Sequence, residues 1–383
     1  MLATALRENP LTDHDSATNR FTPLVRSLPD TAPFIGPEAL ERAQGQPFAL
    51  RLGANESVFG PSPQAQEAMR VAVERAQWYA DPECWETRAA LAAHLGVSME
   101  HIGVGAGIDD LLGQVARLYI DAGRQVVASL GSYPTFAFHV SGLGGVIERV
   151  PYRDDRNDLE ALADAARRSQ ATCVFLANPD NPSGSRFTGD EIAAFLAALP
   201  QQTTLLLDEA YSEFAPADTL TSVSQDDPRL IRFRTFSKAY GMAGMRIGYV
   251  IAAPATIRAL DKVRLHFGVN IVAHAGAQAA LADHHYLASV VAEVARGREE
   301  YATLASECGL VALPSATNFV LFDVGGVERA RATVAALTQA GVFIRMPGAP
   351  PLDRCIRVTV GDASARDAFV RIFREVWPTL APR

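Results

Sequence analysis

Apolar and polar positions along the chain fall into two textures. Helical periodicity, with an apolar residue every three or four, runs over residues 63–77 and 86–95. Short runs that are apolar on both faces then recur at 102–104, 126–130, 173–177, 204–207, 231–233 and 247–251, with helical stretches between them. Strands apolar on both faces belong in a covered sheet, and helical crossovers make such a sheet mostly parallel. Past Pro254 the texture changes. An Ala-rich helical region covers 255–308, followed by strands near 318–323, 342–345 and 356–360 and helices at 327–340 and 364–376. The pattern predicts an α/β protein: a large three-layer domain over 51–265 and a smaller α+β domain over 266–383. Residues 1–20 are polar and read as a flexible arm. Residues 21–60 are rich in Pro and Gly and read as irregular approach chain.

Composition narrows the classes. Of 383 residues, 48% are hydrophobic and 20% charged, which supports a large core and excludes a disordered chain. A net charge of −8 without a Lys/Arg block argues against nucleic-acid binding, though not against a local anion site. The four cysteines, Cys84, Cys173, Cys308 and Cys355, form no CxxC pair, so no metal or disulfide framework is read from them. Reduced thiols in the cytoplasm are the natural inference. No run of about 18 uncharged apolar residues predicts a membrane span, and the first twenty residues lack the pattern of a signal peptide.

Five segments could carry chemistry. In residues 235–246, TFSKAYGMAGMR, Lys238 follows a buried strand. A desolvated lysine there is a candidate nucleophilic amine, and the hydroxyls of Thr235 and Ser237 with Arg246 make an anion clamp. A solvated loop lysine is the plainer alternative. In residues 205–211, LLLDEAY, Asp208 sits at the carboxyl end of an apolar strand, where α/β sheets place ligands; a helix N-cap is equally consistent. Residues 178–184, NPDNPSG, form a rigid turn that fixes Asn181. In Gly103-Val-Gly105-Ala-Gly107-Ile108-Asp109-Asp110, free amides at a helix start favour a phosphate. The dinucleotide fingerprint GxGxxG is not completed, which disfavours a Rossmann dehydrogenase. Arg357 lies on an alternating strand after Arg345, facing either a cleft or solvent.

Taken in order, these segments resemble the fold-type I pyridoxal-phosphate aminotransferases, and within them the histidinol-phosphate aminotransferase group. The matching motifs are LGANES-FGPSP (52–63), YADPEC (79–84), NPDNPSG (178–184), DEAYSEF (208–214), TFSKAYGMAGMRIGY (235–249), PSATNFVLF (314–322) and IRVTVG (356–361). The resemblance implies pyridoxal 5′-phosphate as cofactor, an amino donor and a 2-oxo acid acceptor, a homodimer, a role in amino-acid biosynthesis, and residues 21–50 associated with the small domain. It implies roles as well. Lys238 bonds the cofactor covalently and moves protons. Asp208 pairs with the ring nitrogen, and Tyr211 and Asn181 bond the ring oxygen. The Ile108 and Asp109 amides, Ser237, Arg246 and Thr235 hold the phosphate, while Phe136 stacks on the ring. Arg357 grips the substrate acid group, with Arg345 assisting and Asn55 nearby. Phe59 stands where the family has a tyrosine that reaches the partner's cofactor phosphate, and Phe34 is the nearest match to its N-terminal substrate tyrosine. These departures leave open an aromatic or other amino-acid aminotransferase, or a decarboxylase of the threonine-phosphate decarboxylase type. A cofactor-binding regulator is disfavoured, because residues 1–45 are too short and Pro-rich for a DNA-binding module.

Overall fold

The computed structural model describes residues 20–30 and 35–380. Its strands are β1 (Leu50–Arg51), β2 (Ile102–Gly105), β3 (Gln125–Ser129), β4 (Val146–Val150), β5 (Cys173–Ala177), β6 (Thr204–Asp208), β7 (Leu230–Thr235), β8 (Gly248–Ala252), β9 (Val311–Ala312), β10 (Phe319–Asp323), β11 (Val342–Phe343) and β12 (Cys355–Thr359). Seven form one sheet in the order β2-β8-β7-β6-β5-β3-β4. Only β8 runs against its neighbours; the other pairings are parallel. The mostly parallel α/β sheet expected from the apolar runs is therefore present.

The sheet's centre explains how a carboxylate can be held there. Leu205, Leu206 and Leu207 of β6 are each at most 1% exposed. Burying one such side chain contributes about 1.5–3 kcal/mol. Three in a row therefore offset the cost of placing Asp208, itself buried, at the strand's end. Because β2, β5, β6 and β7 run the same way, their carboxyl ends share one edge. That edge carries the start of the helix Ile108–Tyr119, the 178–184 turn, Asp208 and the segment leading to Lys238.

Three differences from the pattern reading have physical causes. β4 carries Glu148 and Arg149 and lies at the sheet edge, so it lacks the continuous apolar run of an interior strand. The helical region at 255–308 divides into Pro254–Leu260, Ile271–Ala282 and His284–Glu307. Asn270 and Asp283 each accept a backbone N–H from the turn that follows, which restarts the helix. The first helix stops at Val73 rather than near residue 77.

The C-terminal region forms an antiparallel sheet, β12-β10-β9, and β1 pairs in parallel with β11. Tyr301 of the long helix, Phe322 of β10 and Phe369 and Phe373 of the helix Ala363–Val376 pack together in its core. Arg354 ties this region to the large sheet: it holds Asp155 with two bonds, 2.9 and 2.7 Å, and Asp323 at 2.7 Å.

The segment bearing Lys238 is fixed by a close backbone approach. Gly241 has φ +68°, and a Cβ built there would lie 2.1 Å from the Gly60 carbonyl oxygen. Gly241→Ala should therefore destabilise the protein by about 3 kcal/mol, read as a lower urea midpoint. An unchanged midpoint would contradict this packing.

Candidate active site

The phosphate-binding residues expected from the sequence converge. Ile108 and Asp109 begin a twelve-residue helix, and Gly107 precedes it at φ +90°. A Cβ on Gly107 would lie 2.6 Å from Arg246 Nη2, so the guanidinium lies directly against the bare backbone. Arg246 Nη1 donates to Ser237 Oγ at 3.4 Å, and Thr235 Oγ1 donates to the same oxygen at 2.9 Å. The Asp109 carboxylate, half exposed, stands 3.7 Å from Arg246. Helix-start amides, a hydroxyl and a guanidinium converging on one point make an anion cradle.

Beside it stands the reactive cluster. Lys238 Nζ donates to the Asn55 carbonyl at 3.1 Å and lies 5.7 Å from the centre of the Tyr211 ring. Asn55 has φ 55°; its Nδ2 donates to the Tyr211 hydroxyl at 3.1 Å, and its Oδ1 accepts from Thr359 Oγ1 at 3.2 Å. The Asp208 side chain accepts from the Ala210 amide at 2.9 Å, so it closes a local turn and is not a helix cap. Arg357 donates to Asn181 Oδ1 at 2.5 Å and to the Gly53 carbonyl at 3.1 Å, with its guanidinium 5.2 Å from the Phe319 ring. Arg357 therefore faces the cleft and not solvent. Arg345 bridges Arg357 through the backbone, and its side chain reaches the Ile35 carbonyl at 2.7 Å.

The electrostatics follow from desolvation in this cleft. Burial raises Asp208 to about 7, opposed by the Ala210 amide. Burial, reinforced by the Arg357 charge, lowers Lys238 to about 8. Burial raises Tyr211 to about 12, with Arg357 opposing, and lowers Arg357 to about 10. Lys238 and Asp208 each feel the other's charge. Opposed shifts on neighbouring groups make the cleft a candidate for proton-transfer chemistry.

Phe136 is 1% exposed, and one face of its ring stacks on Phe175 of β5 at 5.0 Å. Tyr133, three residues earlier at the start of the helix Pro134–Gly142, has Asp109, Tyr211, Arg345 and Arg357 as electrostatic neighbours. Phe59 packs against the core, and its carbonyl accepts from the Tyr286 hydroxyl at 2.8 Å. Phe34 lies outside the described residues.

Sequence reasoning missed several contributors. Asn318 Nδ2 donates to the Asn55 carbonyl at 3.1 Å, and Thr359 holds that residue's other side. Glu209 is buried between Arg232 at 3.0 Å and Arg234 at 2.7 Å, which anchors the strand ends beside Asp208. One overlooked signal was available. The chain holds two lysines, Lys238 and Lys262, and Lys262 is exposed. In a chain that uses arginine for nearly every cation, a lysine withdrawn into a cleft points to its amine chemistry.

Comparison with known proteins agrees with this geometry. Residues 49–373 match the family aminotransferase class I and II. The histidinol-phosphate aminotransferase of Moorella thermoacetica is 34% identical over 343 residues, covering 88% of each chain. The aromatic amino acid aminotransferase of Rhodococcus jostii is 36% identical, covering 91% of this chain and 95% of its own. A crystal structure of histidinol-phosphate aminotransferase from Sinorhizobium meliloti, in complex with pyridoxal-5′-phosphate, superposes with TM-score 0.93 at 50% identity, covering 96% of this chain and all of that one. The chain belongs to the class I and II aminotransferases.

Proposed function

We propose that this aminotransferase moves an amino group from histidinol phosphate to a 2-oxo acid, using pyridoxal 5′-phosphate, as a cytoplasmic homodimer. The observation that carries the reading is Lys238 and Asp208 facing one cleft beside the cradle formed by Gly107, Ser237 and Arg246. The residues present fit the cofactor. The helix-start amides after Gly107, beside Ser237 and Arg246, suit a phosphate, and the desolvated Asp208 suits a cationic ring nitrogen.

When bound, the cofactor supplies an electron sink for the substrate's Cα electrons. Asp208 would hold the ring nitrogen protonated. Tyr211 and Asn181 would bond the ring oxygen, and Phe136 would lie against the ring, with Tyr133 nearby. Ile108, Asp109, Ser237 and Arg246 would hold the phosphate, with Thr235 orienting Ser237. Lys238 anchors the cofactor and then takes the donor's Cα proton at Nζ; an amine near 8 is well matched to that task. Arg357 and Arg345 are adjacent in register, so one site presents two cations. That pair suits a phosphate on the donor and a carboxylate on the acceptor in turn.

The dimer reading is supported by an exposed apolar face. Trp78, Tyr79, Trp85, Leu265 and Phe267 stand out from the surface, and the Tyr79 and Phe267 rings meet at 4.8 Å, tilted by 38°. No helix among the described residues is long and apolar enough to cross a membrane. A second reading, an aromatic amino-acid donor, is favoured by Phe59 in place of a hydroxyl-bearing residue.

Lys238→Ala should remove the visible absorption of the loaded enzyme and lower turnover about 10⁴-fold, whereas Lys262→Ala changes neither. In the apo-protein, capture of pyridoxal 5′-phosphate should accelerate as pH rises through about 8, because the neutral amine is the nucleophile. A rate that climbs only near about 10, the ordinary lysine range, would contradict the desolvated site. Donors are separated by adding histidinol phosphate, and then each aromatic amino acid, to the loaded enzyme while that absorption is followed. Histidinol phosphate should deplete it fastest. Depletion only by phenylalanine or tyrosine would establish the second reading.

A further inference from the structure

Behind the turn that carries Asn181 lies a second cavity of about 440 Å³, sharing no lining residue with the active site described above. Its walls come from residues 154–156 and 183–186, from Arg298 on the helix His284–Glu307, and from residues 313–316 leading into β10. The volume falls within the range of ordinary small-molecule sites.

The charges lining it are unequally satisfied. Arg186 is matched by Asp218 at 2.8 Å, Arg156 by Glu191 at 3.5 Å and Asp155 by Arg354 at 2.7 Å. Arg298 differs. Its guanidinium donates only to the carbonyls of Phe214 at 3.3 Å and Thr317 at 3.1 Å, and among the described residues it has no carboxylate within 4.0 Å. Burial pushes its pKa down, and the charge of neighbouring Glu299 opposes this only in part. Asp154, held at φ 51° in a tight turn with Asp155, stands at the exposed rim of the cavity and has no cation within that distance among the described residues. Pro216, Leu313 and Pro314 supply an apolar wall. One unmatched cation, one unmatched anion and an apolar surface are the recognition elements of an α-amino acid.

The cavity is also wired to the active site. Asp180 and Ser183 are joined by a 2.6 Å bond from the serine hydroxyl, Asp180 N donates to the Ser185 carbonyl at 2.8 Å, and Ala316 N donates to the Gly184 carbonyl at 2.8 Å. The outer edge of this turn forms cavity wall, while its inner edge holds Asn181 against Arg357. An occupant that spans Arg298 and the turn would favour one spacing between them, and a change there reaches the grip of Arg357.

We propose that this cavity binds a free α-amino acid, with its carboxylate on Arg298, its ammonium on Asp154 and its side chain over Leu313 and Pro314, and that binding there is coupled to the active site through residues 180–185. The binding half stands independently of the functional reading; the coupling half rests on it, and coupling of affinities is reciprocal.

The test uses the full-length, cofactor-loaded enzyme after borohydride reduction, so that amino acids cannot react at Lys238. The proteinogenic L-amino acids are screened one at a time by saturation-transfer NMR. At least one should bind, and Arg298→Ala and Asp154→Asn should each weaken it about tenfold or more, while Arg357→Ala does not. Asn tolerates the left-handed backbone of position 154, so Asp154→Asn keeps the fold if Arg298→Ala does not. That amino acid should also shift the KM of unreduced wild type but not of Asp154→Asn. Binding by none, or binding lost with Arg357→Ala and untouched by Arg298→Ala and Asp154→Asn, overturns the site. Binding without the KM shift overturns the coupling. Failure of borohydride to fix the cofactor would count against the functional reading alone, since the cavity variants are still compared.

Discussion

Everything reactive in this protein depends on holding an amine and a carboxylate near each other in a place poor in water. Desolvation acts oppositely on the two: it lowers Lys238 toward the neutral nucleophile and raises Asp208 toward a group that seeks a cationic partner. Neither shift would survive on an exposed loop. The sheet creates the place, because the strands that end at Asp208 and Thr235 are neighbours in register, with Asp208 opposite Phe233. Their apolar interiors offset the cost of the polar ends.

A second layer fixes the first. Asn55 takes Lys238 on its carbonyl, Tyr211 on its amide and Thr359 on its side-chain oxygen, and Asn318 shares that carbonyl. One residue in a left-handed backbone conformation thus joins the N-terminal segment, the large sheet and the C-terminal sheet. Arg357, reaching both Asn181 and Gly53, makes a parallel connection. Substrate recognition and cofactor positioning are therefore not separable here: the cation proposed to grip the acid group also leans on the side chain proposed to hold the ring oxygen. The cavity behind Asn181 gains its interest from the same connection.

The fold was legible where burial imposes a simple pattern. β5 and β6 are buried at every position and read as strands from composition alone. β4, polar at the sheet edge, and β1, two residues long, offer no such pattern. In the site, residues tied to strand ends and glycine turns could be read: Asp208, Lys238, Ile108, Asp109 and Arg246. Asn318 and Thr359 were invisible to such a reading. Their partner, Asn55, lies hundreds of residues away, and only the assembled sheets bring them together.

The central claim is that one lysine, chosen by its surroundings, carries the covalent chemistry. The most direct measurement is to load the protein with pyridoxal 5′-phosphate, reduce it with borohydride, digest it and locate the added mass by tandem mass spectrometry. With two lysines in the sequence, the result is binary. The account predicts the label on Lys238 alone. Label on exposed Lys262, or shared equally between the two, would contradict it.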